Sequence, residues 1–160
     1  MERKTKVNAE EGKHDLVITR EFDLPVELLF KAHAEPQIIE EWMSNPLATA
    51  KVLKFEAKKH GSYQLESADA DGKVVFRSNG VIHDFTVSKK IIRTFELENA
   101  PFGVQLEIYE FEELTDDTSK LTMHVIYESV AQRDQLLKLP FAQGINLAHN
   151  RLQEIVNKLK

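Results

Sequence analysis

Apolar and polar residues recur with two different periods along this chain, and the period changes twice. From Leu16 to Phe22 the order Leu-Val-Ile-Thr-Arg-Glu-Phe predicts a β-strand rich in β-branched residues. A helical spacing follows, carried by Val26, Leu29, Phe30 and His33, with Asp23 placed to cap it and Pro25 in its first turn. Pro36 restarts the chain in a second short helix, Gln37 to Met43, with Ile38, Ile39 and Trp42 on its apolar side. From Ala48 to Glu128 the period is two, and turn signals such as Asp71-Gly72 and Asp116-Asp117 predict an antiparallel meander. Its clearest strand sets Leu121, Met123, Val125 and Tyr127 on one face and Thr122 and His124 on the other. Tyr63 with Leu65, and Phe95 with Leu97, repeat that pattern, so the sheet has one apolar, partly aromatic face that needs a cover.

The C-terminal segment supplies the cover. Ser129 and Gln132 form a capping-box pattern, and a helical period runs through Phe141, Ile145, Ala148, Leu152, Ile155 and Leu159, interrupted before it starts by Pro140. About 20 helical residues would span roughly 30 Å, enough to cross a sheet. Residues 1 to 13 show no period and are expected to be a flexible arm, with residues 14 to 160 as a single domain. The fold class this order predicts is α+β: a curved antiparallel sheet wrapped around a long C-terminal helix, with two short helices after the first strand. Gly144 inside the long helix and Gly80 inside a strand each predict a close approach, by another backbone or by a ligand.

Composition removes several chemistries. With 21 Lys and Arg against 26 Asp and Glu the net charge is −5, and the second short helix carries Glu40 and Glu41, so nucleic acid is excluded as a partner. An apolar share of 42% places the chain among folded proteins. No cysteine means no disulfide, no thiolate metal site and no cysteine nucleophile. The six histidines form no chelating pair, so no metal is expected; the glycines form no phosphate-cradling loop, so no cofactor is expected; and no serine-hydrolase elbow occurs, leaving no catalytic residue to assign. The segment Met1 to Lys6 lacks the apolar core of a secretory signal and no stretch is long enough to span a bilayer, so the expected location is cytoplasmic.

Several stretches together resemble a known family. Phe22-Asp23-Leu24-Pro25-Val26-Glu27-Leu28-Leu29-Phe30-Lys31-Ala32, then Glu35-Pro36 and Trp42 with Pro46, resemble the opening of the family of homologues of the activator of heat-shock protein 90 ATPase, within the START-like (SRPBCC) helix-grip superfamily. Gly61-Ser62-Tyr63, Asp71-Gly72, Gly80-Val81, Leu121-Thr122 and Phe141-Ala142-Gln143-Gly144-Ile145-Asn146 continue the match in order. The chain departs from that pattern at Met43-Ser44-Asn45, at His60 and at Ile145, around the presumed mouth and floor of a cavity.

The resemblance implies a deep apolar pocket between the sheet and the long helix. The expected function is non-enzymatic binding of a small lipophilic or aromatic molecule, with Phe30, Trp42, Phe55, Tyr63, Phe76, Arg77, Phe95, Met123, Tyr127, Phe141 and Ile145 as ligand-binding residues. Tyr63, Tyr127 and Arg77 are its expected polar groups. Two alternatives stand beside it: a partner-protein module such as a regulator of the heat-shock protein 90 chaperone ATPase, and a cyclase-like or hydrolase-like enzyme using a pocket tyrosine or histidine. Partners implied are a hydrophobic small molecule or a chaperone, with a homodimer left open.

Overall fold

The computed structural model describes residues 3–160. Eight antiparallel strands form one open sheet in the order β1-β2-β8-β7-β6-β5-β4-β3. They are β1 (Lys6–Asn8), β2 (Asp15–Phe22), β3 (Thr49–Phe55), β4 (Ser62–Ala68), β5 (Val74–Thr86), β6 (Lys90–Leu97), β7 (Val104–Thr115) and β8 (Thr118–Ile126). Helices α1 (Val26–Ala34) and α2 (Pro36–Met43) carry the chain from β2 to the far edge of the sheet, where β3 begins an unbroken meander that ends at β8 beside β2. Helices α3 (Val130–Leu137) and α4 (Phe141–Asn157) close the chain. This is the α+β element order that the two periods predict, and the helix-grip fold that the resemblance implies.

Cross-strand register explains why one face is apolar. Leu16 pairs with Val125, Ile18 with Met123 and Arg20 with Leu121. Met123 and Leu121 pair in turn with Tyr109 and Phe111, and Ile91 with Tyr109, so the inward residues line up row by row. Irregularities at Val52/Lys54, Ser67/Ala68, Ile82/Asp84 and Glu113/Thr115 interrupt four strand pairs, as bulges do where a sheet bends. Ser129 caps α3 by accepting a hydrogen bond from the Gln132 amide at 3.2 Å, while Pro140 stands just ahead of α4.

Four expectations change, and one is decided. Asp23 does not cap α1: Pro25 precedes the helix, and the Asp23 amide donates to Gln153 of α4 at 2.8 Å. Residues 6–8, expected to lie in a loose arm, form β1 against β2, and the Thr5 amide donates to Asn146 of α4 at 2.9 Å; Met1 and Glu2 lie outside the described residues. α4 has 17 residues, about 25 Å, and Leu159 lies beyond it and is half exposed. Gly144 meets no close neighbour, since a Cβ there would find nothing within 4 Å. Gly80 does, and the neighbour is protein: a Cβ would overlap the Thr94 carbonyl and the Tyr63 ring.

Candidate functional site

A cavity of about 350 Å³ lies between the sheet and the N-terminal half of α4. Its floor is built from inward strand positions, among them Met123, Tyr109, Phe95, Leu97, Tyr63 and Phe55. Its roof and walls come from Phe141, Ile145 and Ala148 of α4, Ile39 and Trp42 of α2, and His33 of α1. Trp42 is pinned by its indole N–H, which donates to the Ala32 carbonyl at 2.7 Å, and Arg151 of α4 donates to the Trp42 carbonyl at 3.1 Å. These bonds tie roof to wall.

The floor carries one buried polar group of residues. Arg93 and Glu107 are cross-strand partners, and the guanidinium Nε donates to Glu107 Oε1 at 2.9 Å. Arg93 Nη2 donates to the Tyr109 hydroxyl at 2.7 Å, which donates to Glu107 Oε1 at 3.0 Å. Gln105 Nε2 donates to Glu107 Oε2 at 2.8 Å. The rings of Tyr63 and Tyr109 lie 4.6 and 4.9 Å from the guanidinium carbon. Burial works against the arginine's charge, but Tyr109, Tyr63 and Glu107 outweigh it and push its pKa up. Burial also raises the phenols of Tyr63 and Tyr109, so both stay neutral donors or acceptors.

Two neutral imidazoles border the cavity. His33 Nδ1 lies 2.9 Å from the Leu29 carbonyl, which can only accept, so the proton sits on Nδ1 and Nε2 is an acceptor. Burial lowers its pKa to about 4. His149 Nδ1 meets the Thr5 hydroxyl at 2.7 Å, and burial lowers its pKa to about 3. Neither ring meets a carboxylate among the described residues. The histidine that does, His124, pairs with Asp15 at 2.7 Å on the opposite face of the sheet, away from the cavity. Among the described residues no group of three or more His, Asp or Glu is placed to hold a metal ion.

Of the residues singled out in the sequence, Trp42, Phe55, Tyr63, Phe95, Met123, Phe141 and Ile145 meet around the cavity. Four do not. Phe30 packs edge-on against Phe85 and Phe111 in the core. Phe76 shares the inward parity of Ser78 but does not line the cavity and is 57% exposed. Arg77, its neighbour on the strand, necessarily faces the other way and pairs with Glu66 at 2.8 Å. Tyr127 is buried outside the cavity, its hydroxyl without a hydrogen-bond partner among the described residues. Sequence reasoning missed Arg93, Glu107, Tyr109, His33 and His149. The signal was present in the strand Ile91-Ile92-Arg93-Thr94-Phe95, where parity puts the arginine on the same face as Phe95.

The family model described as "Activator of Hsp90 ATPase homolog 1-like protein" matches residues 23–157. The chain belongs to this family. Its members share the START-like fold seen here, and solved structures agree. A Rhodobacter sphaeroides protein superposes with a TM-score of 0.87 at 17% identity, covering 97% of this chain and 99% of its own. Protein Ms6760 from Mycobacterium smegmatis gives 0.83 at 22% identity over 95% and 96%. A protein from Arthrobacter aurescens gives 0.83 at 18% over 96% and 91%. Likeness at this identity is a likeness of fold. No curated protein sequence matches the chain. Among the described residues no helix is long and apolar enough to cross a membrane.

Proposed function

We propose that this family member binds a small lipophilic or aromatic molecule in the cavity beneath α4 and performs no chemistry on it. The observation that carries this reading is the cavity itself: about 350 Å³, within the range of small-molecule sites, and lined chiefly by aliphatic and aromatic side chains. Burying about 300 Å² of apolar ligand surface at about 25 cal/mol per Å² gives roughly 7 kcal/mol before association costs, which supports micromolar affinity. The two imidazoles, neither beside a carboxylate, support binding over catalysis, because a general base needs a pKa near the working pH and burial lowers these to about 4 and about 3. The family's description names an activator of a chaperone ATPase, which makes a protein partner the second reading. Native mass spectrometry of gently purified protein, with thermal shift against a panel of hydrophobic ligands, tests the first. A retained small molecule or a raised Tm supports it; no adduct and no shift across the panel refutes it and leaves retention by the heat-shock protein 90 chaperone as the test of the second.

A further inference from the structure

The cavity is not uniformly greasy, and its one charged donor is unfinished. A guanidinium has five N–H groups. Arg93 uses two of them, toward Glu107 and the Tyr109 hydroxyl, which leaves three without an acceptor among the described residues. Its guanidinium carbon lies over the Tyr63 and Tyr109 rings, about a fifth of the side chain's surface is exposed, and the residue lines the cavity. Glu107, by contrast, already accepts from Arg93, Tyr109 and Gln105. Ser78, whose hydroxyl can donate or accept, lines the same cavity. Arg93 therefore has N–H donors to spare, and a ligand acceptor can take them.

Charge decides which kind. Arg93 is already balanced by Glu107 at 2.9 Å, so a ligand carboxylate would enter as an uncompensated buried anion, whereas a neutral oxygen takes the free N–H groups at no such cost. We propose that Arg93 is a specificity-determining residue that makes the cavity select uncharged, largely aromatic or aliphatic molecules carrying a carbonyl acceptor (ketone, ester or lactone) over pure hydrocarbons and over carboxylic acids. This inference rests on the cavity being a ligand site and adds the polarity of its ligand.

Three probes of matched shape test it on the full chain by titration calorimetry at pH 7: benzophenone, diphenylmethane and diphenylacetate. A hydrogen bond to a charged donor predicts benzophenone binding about tenfold or more tighter than diphenylmethane, with diphenylacetate weaker than benzophenone. The infrared carbonyl band of bound benzophenone is expected below its position in hexane. In the double variant Arg93→Met/Glu107→Gln, which removes both charges together, the benzophenone advantage and the band shift are expected to vanish while diphenylmethane affinity holds. Should that variant fail to fold, the wild-type ratio and the carbonyl band decide alone. Equal binding of benzophenone and diphenylmethane, an unshifted band, or tightest binding of diphenylacetate overturns the role of Arg93 and leaves the cavity reading intact. No binding of any probe, together with no co-purified molecule, overturns both.

Discussion

The two ends of α4 face the same sheet and do opposite things. Toward its C-terminus Leu152 and Val156 are fully buried in the same core cluster as Phe22, Leu24, Leu29 and Leu121. Toward its N-terminus Phe141, Ile145 and Ala148 are only partly buried and roof a cavity. Both halves carry apolar residues at helical spacing, so hydrophobicity does not separate them. What does is the opposing layer. Leu152 and Val156 belong to the filled core cluster, whereas Ile145 borders a cavity whose floor includes Tyr63, Tyr109, Arg93 and Glu107, the last three tied to one another by hydrogen bonds. One helix thus serves as plug at one end and as roof of a cavity at the other.

The largest effect that would sharpen this contrast is at the plug. Leu152→Ala should cost about 2–5 kcal/mol in urea unfolding, the range for emptying a well-packed site; a loss below about 1 kcal/mol would show that end to be loose as well. Next comes acid. His33 borders the cavity with a folded-state pKa of about 4 against an ordinary 6.5, so the unfolded chain takes up the proton first as pH falls. Its contribution is complete above pH 6.5 and is lost toward pH 4, which predicts about 2 kcal/mol less stability at pH 5 than at pH 7.5 from this residue alone. His33→Gln, which keeps a donor for the Leu29 carbonyl, should flatten that part of the profile; an unchanged profile would mean the imidazole is not held neutral.

Smaller effects belong to the roof. Ile145→Ala should cost no more than about 1 kcal/mol, because the side chain borders open space and leaves little new void. Gly144→Ala should raise stability by about 0.5 kcal/mol, since the position is helical, exposed and free of neighbours. A loss there, seen by thermal unfolding, would mean that something not belonging to this chain needs the space.

How much was legible in the residues follows the same division. Leu121, Met123 and Val125 announce a half-buried strand, and the α4 stripe announces a cover, because a period needs only neighbouring residues to be seen. β1 was invisible: three residues, Lys-Val-Asn, have no period, and they are ordered by β2 and, through Thr5, by α4 more than 130 positions away. Phe30 and Phe141 look alike in sequence, yet one is core and one is lining, since that depends on what packs opposite. The Arg93 network needed β6 and β7 in register, and choosing Arg77 in its place set two adjacent residues, Phe76 and Arg77, on one side of a strand that can show only one of them inward.

The most direct test of the account follows side-chain methyl signals by NMR while benzophenone is added to the full chain. The account predicts shifts at Ile145, Ile39 and Met123, which border the cavity, with Leu152 and Val156 unmoved. Saturation without any shift at the first three, or shifts centred on Leu152 and Val156, would contradict it.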